Sequence, residues 1–183
     1  MSTKQLKGIH HLVKAITEEN FFIAGGAVVD SLYGKEPKDY DLVLPAYDMN
    51  EVGAFDFLEA FDFLESLSER FSRLGYKTKV YQSYGLNLGE SVDPRSFQAN
   101  FIGCMKVVMH NCQLDLLLSK HHHIQEHVMY HDCNMNMVWF NGDRVCWEHG
   151  GNEPKVSELV FMDNISEDRK ERMRKKWATF QAM

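Results

Sequence analysis

The chain has 183 residues, of which 44% are hydrophobic and 25% charged, and a formal net charge of −6. That suits one domain with a short appendage, large enough to bury a core without disulfides or structural metal. The acidic balance argues against a protein that coats nucleic acid nonspecifically, although a local basic patch can still serve; the one dense basic run is Arg169 to Lys176.

Lys4 to Glu19 carries Leu6, Ile9, Leu12, Val13 and Ile16 at helical spacing and predicts a first helix ended by Asn20. Phe21 to Ala24 is a short apolar run that reads as a buried strand, followed by the Gly25-Gly26 turn, a short helix over Ala27 to Tyr33, and Gly34 as its close. Asp39 to Leu44 (DYDLVL) reads as a second strand stopped by Pro45. From about Glu51 to Leu74 a long helical stretch contains a tandem repeat, AFDFLE at Ala54–Glu59 and again at Ala60–Glu65. A six-residue period fits neither a heptad nor a turn count, so it is a local duplication rather than a solenoid.

Tyr76 to Ser83 predicts a strand and Tyr84 to Phe97 a loop. Phe101–His110 and Gln113–Leu118 predict a hairpin turning at Asn111-Cys112. Lys120–Tyr130 reads as helical, Asp132–Trp139 as helical or a buried turn and helix, Phe140–Trp147 as a hairpin around Asn-Gly-Asp, and Ser166–Phe180 as a charged helix capped by Ser166. The histidines of KHHHIQEHVMY read as an exposed polar helix face, since adjacent histidines point to different sides. The N-terminus lacks a signal peptide's apolar core and no stretch is apolar enough to span a bilayer. The four cysteines, without a CxxC pair, are expected to be reduced thiols of a cytoplasmic protein rather than zinc ligands.

The chemistry concentrates in Phe22 to Pro45, FIAGGAVVDSLYGKEPKDYDLVLP. A strand running through Gly25-Gly26 into a helix lets a bulky anion approach the backbone and meet free N–H groups. Asp39 and Asp41, at i and i+2 of a strand, project from one face and suit one or two hard divalent cations. A phosphate cradle beside paired carboxylates is what phosphoryl or nucleotidyl transfer requires.

This segment resembles the head domain of class II tRNA nucleotidyltransferases and bacterial poly(A) polymerases, within the DNA polymerase β superfamily, whose motif reads GGxVRDxLLGxxxxDxDLV. Gly25, Gly26, Val28, Asp30, Leu32, Gly34, Asp39, Asp41, Leu42 and Val43 match it. The resemblance implies an α/β (α+β) polymerase β-like fold, a small mixed sheet with helices packed on one side, with residues 1–150 as the head and 151–183 as a charged helical extension. It implies a third catalytic and metal-binding carboxylate, for which Asp115 in CQLDLLLS is the candidate. It places Asp132 and Asn136, in YHDCNMNM, against the sugar and triphosphate.

The expected activity is transfer of a nucleoside monophosphate from an NTP, such as ATP, to a hydroxyl with two Mg²⁺ ions on Asp39, Asp41 and Asp115. The favoured acceptor is an RNA 3′ end, as in tRNA processing; a protein or small-molecule acceptor, or a non-catalytic nucleotide or RNA binder, are the alternatives. The family's arginines are replaced by Val29, Tyr130 and His131, leaving His131, Lys35, Lys38 or Lys120 as substitutes beside the nucleotide candidates Gly25, Gly26 and Asp30. The family's neck element EDxxR is echoed, one residue out of register, by Glu167, Asp168 and Arg172.

Overall fold

The computed structural model describes residues 3–45, 57–81, 97–149 and 151–183. Its helices are α1 (Lys4–Thr17), α2 (Gly26–Leu32), α3 (Phe57–Arg73), α4 (Ile124–Val128) and α5 (Glu167–Gln181). Its strands are β1 (Phe22–Ala24), β2 (Asp39–Leu44), β3 (Lys77–Tyr81), β4 (Phe101–Val108), β5 (Gln113–Ser119), β6 (Val138–Phe140) and β7 (Val145–Trp147). They form one seven-stranded sheet in the order β3-β4-β5-β2-β1-β6-β7. β2 and β5 run parallel at its centre and the other neighbouring pairs are antiparallel. The chain therefore has the mixed α/β class expected of it. The expected start of the long helix at Glu51, the first part of the tandem repeat and most of the Tyr84–Phe97 loop lie outside the described residues. Among the described residues no helix is long and apolar enough to cross a membrane.

Period-two alternation divides the sheet into two unlike faces. Tyr40, Leu42 and Leu44 of β2, Leu114, Leu116 and Leu118 of β5 and Ile23 of β1 join the main core, shared with residues of α1, α2, α3 and α5. On the opposite face Ala24, Val43, Cys104, Leu117 and Trp139 pack with Ile124 and Val128 of α4. Four helices thus contribute to one face, and the short α4 covers part of the other.

This asymmetry sets the position of the acids. Leu42, Leu44, Leu116 and Leu118 are fully buried, each worth about 1.5–3 kcal/mol. A one-residue slip of β2 would turn Asp39 and Asp41 into that core and expose its leucines. The leucines therefore fix the register that carries the carboxylates.

Two segments differ from the sequence expectation. Only Ile124–Val128 of the KHHHIQEHVMY stretch is helical. Ser119 Oγ accepts from the His121 N–H at 3.2 Å and bonds His127 Nδ1 at 2.9 Å, so local side-chain bonds compete with helix at its start. His127 is buried rather than exposed, and burial, helped by His131 and His121, pushes its pKa down to about 2. Asp132–Trp139 is likewise not a helix: Cys133 is extended and bridges Phe161, a single 3-10 turn spans Asn134–Asn136, and β6 follows. Asn134 explains the break, its amide donating to the Glu158 carbonyl at 2.8 Å and its side-chain oxygen accepting from Val160 N–H at 2.9 Å.

α5 starts where its sequence says: Ser166 Oγ accepts from Arg169 N–H at 3.2 Å. Its Met173 and Phe180 are buried in the same core cluster as α2, and Phe180 stacks on Tyr33 with centroids 4.1 Å apart. α3 ends at Arg73 and the chain turns out of it through Gly75, whose φ of +91° suits glycine, with Tyr76 N–H donating back to the Phe71 carbonyl at 3.2 Å.

Candidate active site

β2 and β5 place Asp41 directly opposite Asp115 and Asp39 opposite Gln113. Asp39 is exposed at the strand's start, Asp41 half-buried, and Asp115 buried. The three acids share the face that carries Val43 and Leu117, by strand alternation. Burial pushes Asp41 up to about 7, with the Asp115 and Asp39 charges adding and Lys106 and Arg169 opposing. Asp115 is raised by burial too, against the pull of Lys106 and the Gln113 amide, which donates to it at 3.1 Å. Lys106 is the cross-strand partner of Asp115 on β4.

The donor set suits a hard divalent cation. The Asp115 and Asp39 charges help to raise Asp41, and a cation relieves such repulsion. Among the described residues no three His, Cys, Asp or Glu side chains are gathered closely enough to ligate one ion as they stand. Adjacent strands thus bring Asp41 and Asp115 side by side without a preformed metal site among the described residues.

Gly25 and Gly26 lie where β1 enters α2, beside the acids, because Ala24 pairs with Asp41. Gly25 has φ +67°, and a Cβ there would stand 3.1 Å from His131 Cε1. Its N–H is committed to the Val138 carbonyl at 2.9 Å. α2 has seven residues, so the helix-end field is that of a short helix. A Gly25→Ala variant is expected to lose roughly 1–2 kcal/mol from the left-handed backbone alone, with further loss from the displaced His131 ring; thermal denaturation checks it.

The remaining candidates fall into two groups. His131 is buried, and its Nδ1 donates to the Asn136 carbonyl at 2.6 Å. Burial lowers its pKa, outweighing that hydrogen bond and Asp132. A lowered pKa favours the neutral ring, which carries no charge to offset a phosphate. Tyr130 is exposed and stacks on His121. Lys38 is exposed next to Asp39, Lys120 is also exposed, and Lys35 lies 4.8 Å from the Phe180 ring centroid.

Asp132 and Asn136 do meet: the Asn136 amide donates to Asp132 at 2.7 Å. Asn136 Oδ1 is buried and accepts no hydrogen bond within the described residues, an acceptor that a sugar hydroxyl would satisfy. Burial would raise Asp132, but the Asn136 amide and the Arg169 guanidinium outweigh it and hold the carboxyl below its ordinary range.

The residues missed at the sequence level are on α5. Arg169 donates to Asp132 at 2.5 Å and Lys176 Nζ lies 3.0 Å from Asp30 Oδ1. Glu167, Asp168 and Arg172 of the EDxxR echo are instead exposed. The signal was present in the basic run: Arg169 and Lys176 flank Met173 and precede Phe180 at helical spacing, which puts both cations beside the apolar stripe.

No family model matches the chain, and no curated protein does. Among solved structures, a tRNA-processing enzyme in an apo form is similar over 79% of this chain and 31% of its own, at 17% identity and a TM-score of 0.47. The Thermotoga maritima CCA-adding enzyme complexed with tRNA is similar over 76% of this chain and 26% of its own, at 15% identity and a TM-score of 0.45. A CCA-adding enzyme complexed with CTP gives 76%, 28%, 13% and 0.46 for the same quantities. The chain thus spans less than a third of each structure's length. Likenesses of this identity and score establish neither family nor activity for it.

Proposed function

We propose that the chain is a metal-dependent nucleotidyltransferase that transfers a nucleoside monophosphate from an NTP to a hydroxyl, with an RNA 3′ end as the favoured acceptor. The observation that carries this is the side-by-side placement of Asp41 and Asp115 on parallel strands, with Asp39 on the same face. The head-domain motif in Gly25–Val43 supports the choice of reaction and of RNA.

Asp39, Asp41 and Asp115 would hold one or two Mg²⁺ ions. Such ions, when bound, lower the pKa of an acceptor hydroxyl and steady a leaving pyrophosphate. The chain's own part is placement. Asp115, buried beside Asp41, would take the proton as the hydroxyl oxygen bonds the α-phosphorus and the bond to pyrophosphate breaks. Asn136 Oδ1, buried and accepting no hydrogen bond among the described residues, would accept one from a sugar hydroxyl, and the glycines would leave the backbone open to phosphate.

The deciding experiment is pyrophosphate release measured with each of the four NTPs against total RNA and total protein. Release stimulated by RNA is expected. Stimulation by protein alone moves the acceptor to a protein hydroxyl. No release from any combination, with ATP binding indifferent to Mg²⁺, favours a non-catalytic binder and rejects the transferase.

A metal prediction follows from the raised carboxyl. Folded Asp41 holds its proton up to about pH 7, against an ordinary carboxyl value of 3.8. Its contribution to stability is therefore full below about pH 4 and lost as pH rises through 7. Mg²⁺ binds the deprotonated form, so saturating Mg²⁺ is expected to raise the Tm by roughly 5–10 °C at pH 8 and by much less at pH 5.5. Equal shifts at both pH values would remove Asp41 from the metal site.

A further inference from the structure

Five acids stand around this site: Asp39, Asp41 and Asp115 on the sheet, Asp30 on α2, and Asp132 before β6. Two of the cations that answer them come from the far end of the chain. Arg169 and Lys176 flank the buried Met173 on one side of α5, roughly 10 Å apart along its axis. Their partners are in the head: Arg169 bonds Asp132, and Lys176 bonds Asp30 at 3.0 Å with both side chains about three-quarters buried. The outer pairs of the same helix differ. Lys170–Glu167, Arg174–Glu171 and Lys175–Glu171 are local contacts of 3.4 to 3.9 Å, worth little in water.

Both inward cations also border the acids of the sheet. The Arg169 charge acts on Asp41. Lys176 Nζ lies 3.6 Å from where a side chain at Gly26 would begin, two residues beyond Ala24, which pairs with Asp41. A polyphosphate adds several negative charges to a site already rich in carboxylates, so it needs cations within reach. An arginine fork and a lysine ammonium are the donor types that phosphates take.

We propose that Arg169 and Lys176 are the polyphosphate-binding cations of this site, with Asp132 and Asp30 as their resting partners that give them up when phosphate arrives. The inference deepens the nucleotidyltransferase reading and rests on it for the identity of the ligand. It makes α5 a working wall of the site.

The test is calorimetric binding of inorganic tripolyphosphate and of ATP to the full chain, with and without Mg²⁺, beside thermal melting of each variant. Arg169→Met and Lys176→Met are each expected to weaken tripolyphosphate binding about tenfold. Asp132→Asn is expected to lower the Tm yet strengthen tripolyphosphate binding severalfold, because Arg169 loses its competitor. Wild-type affinity in both cation variants, or weaker binding in Asp132→Asn, would mean that the pairs only clamp the helix, and would overturn the inference. Should Arg169→Met not fold, Arg169→Lys keeps the charge and loses the fork; severalfold weaker binding supports the inference and unchanged binding overturns it. The two readings fail separately. Tripolyphosphate binding that depends on Arg169 and Lys176, without pyrophosphate release from any NTP, keeps this inference and rejects the transferase. Transfer that Arg169→Met and Lys176→Met leave untouched does the reverse.

Discussion

Asp41→Asn is expected to cut nucleotide transfer by roughly a thousandfold or more, since a metal-binding carboxylate supplies several kcal/mol of transition-state stabilisation. The same variant is expected to be more stable than wild type in metal-free buffer above pH 7. Asp41 is the acid on which burial and the neighbouring charges of Asp115 and Asp39 converge. An amide of the same shape keeps the packing and removes the charge. Lost activity with a raised Tm marks a residue kept for chemistry at a cost in stability. The two measurements, NTP incorporation and melting with EDTA at pH 8, are independent. Full activity would take Asp41 out of the mechanism, and an unchanged Tm would show that its charge is not strained in the fold.

Leu116→Ala is expected to destabilise the chain by about 2–5 kcal/mol, the usual range for a leucine removed from a full core. Leu116 is fully buried and is the cross-strand partner of Leu42. It sits one residue from Asp115 on the opposite face of β5, so the variant touches no acid. Transfer should fall only as the folded fraction falls, and recover with it at lower temperature. A Tm within a degree of wild type would show that the leucine layer does not hold the β2–β5 register. Activity lost from a fully folded variant would show that the register shifts without unfolding.

The legibility of the chain in its sequence follows these same forces. β2 was readable to the residue, Asp39–Leu44, because an alternating start and an apolar end leave one assignment, closed by Pro45. β5 was readable for the same reason, and its leucines made Asp115 conspicuous. The motif around Gly25 marked the acids that the sheet then brought to one face. What stayed hidden depends on contacts distant in sequence. Nothing local in YHDCNMNM shows that Asn134 bonds residues 158 and 160 and breaks the helix. Nothing in the histidine run shows that His127 is buried against Ser119. The partners of Arg169 and Lys176, Asp132 and Asp30, are more than thirty residues away along the chain. The basic run read only as a charged helix, because its composition outweighs its thin apolar stripe, Met173 and Phe180.

The parallel pairing of β2 with β5 has a kinetic consequence. Asp41 and Asp115 are joined only after a long connection containing α3, β3 and β4 has been laid down. Contacts of such separation form slowly, because loop entropy must be lost before the pairing compensates for it. β4 and β5, joined by a tight turn, zip locally and offer β5 as a template on which β2 closes. The acids are therefore expected to come together late, after the β4–β5 pairing. The duplicated AFDFLE lies in that connection. Its second copy lies within α3 and places Ala60 and Leu64 in the main core.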